Sequence, residues 1–320
     1  MTAQEFTPME ICALLLCCDL NQRSVQTLTT SQFRQLAAQV VAAGAPDDPV
    51  RELQKADLRE WGCGEDTAAR ILALLDRQRA LKRFLTWCQL YTFRITTCVS
   101  PDYPKKLLAL GQFRPPVLLY SGDVRLLDQP AVSLVGSREL TQEGLIFARR
   151  VGRLAQMENQ VLVSGGAPGA DSEAQFVCTE AGGRMVMFPA DSLLDRVRYL
   201  RGYIQRGQML VCAESSLSTR FSASRAHARN RLIHAAGQKV FVAQATYNVG
   251  GSWSGAKDNL RHGWSEVYVN RYGGDGCRAL QLLGANVIDA DYLHYYIGSR
   301  NISLLPEEHP WTDRKPAKQK

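Results

Sequence analysis

The chain has 320 residues and a mass of 35.6 kDa, enough for about two average domains and a sizeable buried core. Hydrophobic residues make up 45% and charged residues 22%, which excludes a largely disordered, collagen-like or coiled-coil protein. Lysine and arginine exceed aspartate and glutamate by 38 to 31, so the formal net charge is +7 and weakly favours a polyanionic partner.

The sequence indicates no export, membrane or metal-binding segment. The longest apolar run near the start, residues 11–18, is too short to span a bilayer and lacks the flanks of a signal peptide. Nine cysteines are scattered without a C-x-x-C pair, which argues against a disulfide framework and against a zinc site. We therefore expect a cytoplasmic protein with buried thiols, no metal and no cofactor.

Residues 1–85 predict a small all-helical domain, because their apolar residues recur at helical spacing without Gly-rich loops. Within it, residues 58–71 indicate a helix, a turn at Gly62 and Gly64, and a second helix. This pattern is typical of a helix-hairpin-helix or SAM-like unit, whose turn amides can meet a DNA phosphate. A plain corner between two helices explains it equally simply, and one G-x-G is a weak signal.

Residues 86–305 predict an α/β domain, and the polar residues 306–320 predict a basic tail. A strand candidate at 93–99 is followed, after a Pro- and Gly-punctuated stretch, by short apolar runs that alternate with helix-compatible segments. That alternation predicts a doubly wound, mostly parallel Rossmann-like sheet. The runs are 131–135, 160–163, 184–188, 209–213, 239–243, 265–269 and 286–288.

The loops that follow the strands carry the candidate ligand-binding residues, because ligands of open parallel sheets sit at the carboxyl ends of the strands. Glycines allow close backbone approach, helix N-termini favour anions, and arginine offers a planar fork to phosphate. The predicted phosphate-binding residues are Gly136, Ser137, Arg138, Ser164, Gly165, Gly166, Gly169, Arg225, Arg229, Asn230, Arg231, Gly251 and Ser252.

Three of these expectations have alternatives. Arg138 contacts phosphate, or instead pairs with Asp171 or Glu214 and holds two loops together. Asn230 reads a base or caps a loop. The neighbouring Trp253 stacks on a base or belongs to the core.

The order of these motifs resembles the DprA/Smf DNA-processing family, within the Rossmann-like group that also holds the LOG-type phosphoribohydrolases. The likeness covers about residues 102–293 and includes a helical region before the sheet. The chain differs from the family in having Gln175 where a histidine is usual, and we expect no C-terminal winged helix of the kind that many members carry. The matching residues are Tyr103-Pro104, residues 116–120 with Gly122, Val135-Gly136-Ser137-Arg138, Ser164-Gly165-Gly166-Ala167 with Gly169 and Asp171, Glu214, residues 229–233, Gly251-Ser252, and Gly284-Ala285.

The resemblance implies a non-enzymatic protein that binds single-stranded DNA, passes it to a RecA-type recombinase, and acts in DNA processing as a homodimer. One alternative is an enzyme like the LOG proteins, which cleave the N-glycosidic bond of nucleoside monophosphates. LOG proteins place a glutamate in the helix after their glycine loop, whereas the comparable helix here offers Asp258 and no glutamate before Glu266. Another alternative is a nucleotide-binding sensor in a defence system.

Overall fold

The computed structural model describes residues 4–22, 25–44, 48–214, 217 and 221–297. The predicted basic tail at 306–320 lies outside the described residues. The α-helices are α1 Pro8–Cys17, α2 Thr30–Ala42, α3 Pro49–Glu52, α4 Lys55–Glu60, α5 Glu65–Leu75, α6 Gln78–Leu90, α7 Gln142–Met157, α8 Ala170–Glu180, α9 Leu193–Tyr199, α10 Arg201–Gln205, α11 Ala223–Ala236, α12 Gly250–His262, α13 Asp275–Leu282 and α14 His294–Ile297. Three 3-10 helices lie at Lys105–Phe113, Val124–Asp128 and Ala290–Tyr292.

Nine strands form one sheet in the order β1-β2-β6-β5-β4-β3-β7-β8-β9. The pairs from β6 through to β9 are parallel, whereas β2 joins β6 and β1 antiparallel at one edge. This confirms the predicted α/β class with a mostly parallel sheet. The strands are β1 Arg94–Thr97, β2 Val117–Ser121, β3 Ala131–Val135, β4 Val161–Ser164, β5 Arg184–Met187, β6 Met209–Glu214, β7 Lys239–Val242, β8 Glu266–Asn270 and β9 Asn286–Ile288.

Strand β2 is the one strand among the described residues that the sequence analysis did not assign. Its apolar run Val117–Ser121 is buried on both faces, so it lacks the alternation that marks a half-buried strand. It also lies between Pro116 and Gly122, which are usual loop residues. The remaining strands coincide with their predicted runs to within about two residues at each end.

Apolar side chains cover both faces of the sheet. One buried cluster joins the N-terminal helices, α7 and α8 to one face of the sheet. A second joins the 3-10 helices Lys105–Phe113 and Val124–Asp128, together with α11, α12 and α13, to the other face. The N-terminal helices share the first cluster with Ile95 of β1 and Leu119 of β2. The helical region is thus packed onto the sheet, and the division of the chain at residue 85 stays a prediction.

Helices α7 and α8 pack closely because glycine stands at their contact. A Cβ atom added at Gly152 would lie 2.3 Å from the carbonyl oxygen of Ala174. Since that oxygen is backbone, the helices would have to separate to admit a methyl group. The two helices follow β3 and β4, so their spacing also sets the distance between the loops at which they begin.

We predict that Gly152→Ala lowers the free energy of unfolding by about 1 to 3 kcal/mol, the usual range for overpacking a tight contact. Urea unfolding followed by circular dichroism measures the change. The matched control is Arg153→Ala, because Arg153 is exposed on the same helix and should change stability by less than about 0.5 kcal/mol. Equal stability of Gly152→Ala and the control would contradict the packing argument.

Candidate nucleic-acid interface

Five loops lie on the same side of the sheet, because β3 to β7 run parallel and their C-terminal ends point in the same direction. The chain direction across the sheet reverses between β3 and β7, which is where ligands of such sheets bind. Gln244 joins the two loops at this point. Its carbonyl accepts from the Ser137 amide at 2.9 Å, and its side-chain oxygen accepts from the Thr141 amide at 2.8 Å.

The glycine loop after β4 is held by the carboxylate of Asp171. One carboxylate oxygen accepts from the amides of Gly165 at 3.1 Å and Ala167 at 3.3 Å. Gly169 has a φ of 86° and lies so close to the first loop that a Cβ atom would be 2.4 Å from the Ser137 carbonyl oxygen. Glycine is therefore required there both by conformation and by space.

The guanidinium of Arg229 covers this loop. A Cβ atom added at Gly165 would lie 1.2 Å from Nη1 of Arg229, so the arginine occupies the space that a side chain would fill. Nη1 is 4.0 Å from the nearer Asp171 oxygen, and the Arg229 side chain is 12% exposed. Its Nε is buried without a hydrogen-bond acceptor among the described residues. A buried cation with an unused donor is a favourable place for an anion.

Burial moves the pKa values of this pair in opposite directions. Burial raises the pKa of Asp171, and the charge of Arg229 together with the amides of Ala167 and Gly165 opposes that shift. Burial also lowers the pKa of Arg229, and nearby Arg138 and Arg196 lower it further. Both shifts are caused first by burial, which disfavours the charged form of each group. A bound phosphate would favour the charged form of Arg229.

More arginines surround Arg229. Arg138 is exposed, and its guanidinium lies 5.3 Å from the ring centroid of Phe221 rather than against Asp171 or Glu214. Arg225 is exposed at the start of α11. Arg196 forms a two-bond pair with Asp191, at 3.0 and 2.7 Å. These arginines surround the space beyond the C-terminal ends of β3 to β7, which we call the crevice. Two of them, Arg138 and Arg225, are exposed to solvent.

Other predicted residues have structural contacts. The Ser164 hydroxyl is buried and donates to the carbonyl of Leu134, at 2.9 Å. Asn230 is buried and donates to the Gly251 carbonyl, at 2.9 Å, so it links α11 to the first turn of α12, where Ser252 also lies. Trp253 is 5% exposed and belongs to the core, so it is not available to stack on a base. Gly166, with a φ of 67°, packs against the Met187 side chain.

Arg231 does not join Arg138, Arg225 and Arg229 in the crevice, because its side chain contacts Asp258 and Phe113 instead. Its Nε donates to Asp258 at 2.9 Å, and its guanidinium lies 4.1 Å from the ring centroid of Phe113. Both contacts hold α11 against α12 and the 3-10 helix Lys105–Phe113. The sequence could not distinguish this structural arginine from Arg229, because the two differ only in the face of one helix that they occupy.

The structure adds three residues that the sequence analysis did not single out: Arg196, Phe221 and Gln244. Arg196 and its partner Asp191 follow β5, so the same rule that selected the other loops could have found them. Gln244 follows β7 directly and could have been found in that way too. Phe221 carried no signal, because an isolated aromatic residue before a helix has no specific meaning in a sequence.

The predicted helical hairpin is present, as α4, a turn that includes Gly62 with a φ of 81°, and α5. The first turn of α5 carries Glu65 and Asp66, and Glu65 forms ion pairs with Lys55 and Arg59. Acidic residues at this helix start disfavour a phosphate contact. The geometry thus favours the interpretation as a corner between two helices.

The structure is that of a Rossmann-like protein with a crevice lined by arginines at the C-terminal ends of its parallel strands. A family model for DNA recombination-mediator protein A matches residues 94–293, so the chain belongs to that family. This confirms the resemblance stated from the sequence.

Two relatives and two solved structures are similar to this chain. Protein Smf of Synechocystis is 29% identical over 155 residues, covering 46% of this chain and 38% of its own length. DNA processing protein DprA of Streptococcus pneumoniae is 31% identical over 146 residues, covering 42% and 49%. The match thus spans at most about half of either relative.

The structure of DprA from Streptococcus pneumoniae has a TM-score of 0.69 at 23% identity, covering 91% of this chain and 98% of that one. A Helicobacter pylori DNA processing protein A, described with its single-stranded DNA binding mode, has a TM-score of 0.54 at 24% identity, covering 65% and 97%. At these identities the two structures support the fold. No helix in the described ranges has the length and apolar character to cross a membrane.

The burial of the Glu214 carboxyl group can be tested by measuring how stability depends on pH. Glu214 ends β6, and burial raises its pKa to about 7, although Arg231 and Arg225 oppose the shift. Because the folded protein holds this proton more tightly than the unfolded chain, the stabilisation is present below about pH 4.5 and is lost as the pH rises through 7.

We predict that Glu214→Gln makes the protein more stable than the wild type at pH 8.5 and leaves it nearly unchanged at about pH 4, below the pKa of the unfolded carboxyl group. Glutamine has a similar shape and stays neutral, so it removes the cost of a buried carboxylate only where that carboxylate is ionised. Urea unfolding of both proteins at the two pH values measures the difference. A stability difference that does not depend on pH would contradict the assignment.

Proposed function

We propose that the protein binds single-stranded DNA through its phosphates in the crevice at the carboxyl ends of β3 to β7. The observation that carries this proposal is the Arg229 guanidinium, buried over the glycine loop with an unused Nε donor. The exposed Arg138 and Arg225 supply further cations for successive phosphates of a strand. Membership of the recombination-mediator family and the net charge of +7 support the same function.

We further propose that the DNA-bound protein acts as a homodimer that passes the strand to a RecA-type recombinase. The recombinase is what the family resemblance implies. For the dimer, the structure offers an apolar surface beside the edge strand β9, where Leu282 is 88% and Leu283 50% exposed. Exposed leucines next to an unpaired strand edge favour association with a second copy.

A hydrolytic function like that of the LOG proteins is less well supported. Asp258, the acid in the comparable helix, is already paired with Arg231 at 2.9 Å and lies 3.3 Å from Nδ1 of His262. Glu266 is the first residue of β8, so it lies at the N-terminal ends of the parallel strands, whereas the crevice lies at their C-terminal ends. Neither carboxylate is therefore placed to stabilise a sugar cation at the glycine loop. A nucleotide sensor would use the same loops and remains an outcome of the binding experiment below.

The first binding prediction concerns the two arginines of the crevice. We expect Arg138→Ala to weaken binding of a labelled oligo-dT by about 1 to 3 kcal/mol, the range for losing a charge-assisted hydrogen bond. Arg138→Lys should recover only part of that loss, because lysine keeps the charge without the planar fork. Arg229→Lys should weaken binding for the same reason. Fluorescence anisotropy gives the affinities, and Arg153→Ala is the matched control outside the crevice.

Thermal melts of the same variants separate ligand contact from structural support. Arg138 is exposed, so Arg138→Ala should keep the wild-type melting temperature to within about 2 °C. Binding that falls only in proportion to lost stability, or full recovery by Arg138→Lys, would contradict a direct phosphate contact.

A second prediction concerns salt. If three to four phosphates are neutralised, the logarithm of the affinity for oligo-dT should fall against the logarithm of the salt concentration with a slope of about −2 to −3. Arg138→Ala should make that slope shallower by about 0.7, the contribution of one phosphate of a single strand. Titrations between 50 and 300 mM NaCl are sufficient to measure it.

The same titrations with mononucleotides decide between the alternatives. A mononucleotide that binds more tightly than oligo-dT, with a nearly flat salt response, would replace DNA binding by the sensor function. Release of free base from a mononucleotide, lost on Asp258→Ala, would replace it by the enzymatic function.

A further inference from the structure

A groove of about 460 Å³ lies far from the crevice arginines, between the N-terminal helices and the edge strand β1. Its volume falls within the range of about 300 to 1,000 Å³ that is usual for ligand cavities. The floor is apolar and includes Ile11, Leu81, Leu85, Phe93 and Ile95. No phosphate-binding residue proposed above belongs to its lining, so the groove needs a separate explanation.

The groove runs along the outer edge of β1 at Ile95, where no further strand among the described residues is paired and Gln4 covers the backbone. The Ile95 amide donates to the side-chain oxygen of Gln4 at 3.1 Å, and the Ile95 carbonyl accepts from the Gln4 side-chain nitrogen at 2.5 Å. These two bonds are the pair that one residue of an antiparallel strand would form with Ile95. A single glutamine side chain therefore occupies the position of a neighbouring strand.

Gln4 is a weak cover for a strand edge. It is exposed, and one side chain supplies a single donor and a single acceptor where a paired strand would supply several. A backbone segment bound in its place would satisfy the same donor and acceptor, and would also fill the apolar floor with a side chain. Edge strands normally acquire such partners unless they are covered.

The charges around the groove indicate which residues a bound segment should contain. Arg51, Lys82 and Arg94 line it, and Asp48 is the one carboxylate among the lining residues that the structure describes. Asp48 is 3.4 Å from Arg51 and so is partly neutralised already. The surplus of positive charge favours carboxylates on either side of a bound apolar residue.

We propose that this groove binds an extended peptide segment of a partner protein, in which a large apolar side chain is flanked by aspartate or glutamate. The segment pairs with Ile95 of β1 in place of Gln4 and inserts its apolar side chain towards Leu85. The proposal is independent of DNA binding, because it uses the edge strand β1, whereas the proposed DNA site lies around the interior strands β3 and β7.

A random heptapeptide library displayed on phage, panned against the full chain, tests the proposal. We expect enriched sequences with an apolar residue between acidic ones, and fluorescein-labelled copies should bind in an anisotropy assay. Leu85→Trp, which fills the floor, should weaken binding at least tenfold. Lys82→Glu should weaken it about threefold or more, whereas the matched control Lys257→Glu on α12 should leave it unchanged.

Two further measurements address the strand pairing itself. Gln4→Ala should tighten peptide binding, because it removes the competing side chain. N-methylation of the central peptide amide should abolish binding, because it removes a backbone donor.

No enriched peptide, equal affinity for Leu85→Trp, or indifference to N-methylation would each overturn the proposal. Thermal melts exclude misfolding of Leu85→Trp, and the exposed Lys82→Glu provides a second variant. Binding of oligo-dT should stay unchanged in all of these variants, so failure here is distinguishable from failure of the DNA-binding function.

Discussion

The interface depends on one buried charge, the guanidinium of Arg229 above Gly165. Removing a cation from water is costly unless other groups compensate. Here Asp171 supplies part of the compensation at 4.0 Å, and its carboxylate is itself held by two loop amides. The compensation is incomplete, because Nε of Arg229 has no acceptor in the described part of the chain. A phosphate bound at the guanidinium would supply further compensation for its charge.

This arrangement explains why small residues occur where they do. Gly165 leaves room for the guanidinium, and Gly169 lets the loop before α8 approach the loop after β3. Any side chain at Gly165 would displace Arg229 and leave Asp171 buried without its cation. In other proteins, removing one partner of a buried ion pair lowers the free energy of unfolding by about 3 to 5 kcal/mol. The loop, the acid and the arginine therefore act as one unit.

The sequence was sufficient for the sheet but only partly for the site. Parallel strands buried on both faces give short apolar runs, so β3 to β9 could be recognised, whereas β2 was hidden between Pro116 and Gly122. The rule that ligands meet the strand ends selected loops that the structure brings together at the C-terminal ends of the parallel strands. It could not separate Arg229, which faces the loop, from Arg231, which pairs with Asp258, because that depends on how α11 packs. The same limit applies to Trp253, whose burial follows from the position of α12.

The depth of the arginines bears on the kind of anion that would fit the proposed binding crevice. Arg229 is nearly buried at the base, whereas Arg138 and Arg225 are exposed at the rim. A single phosphate at the base would satisfy Arg229 and leave the rim cations to solvent, where each contributes little. A strand carries a charge on every nucleotide, so one phosphate can reach the base while its neighbours meet the rim. The exposed ring of Phe221, in contact with Arg138, adds an aromatic surface of the kind on which bases of single strands stack. The distribution of charge with depth therefore suits a polyanion better than an isolated nucleotide.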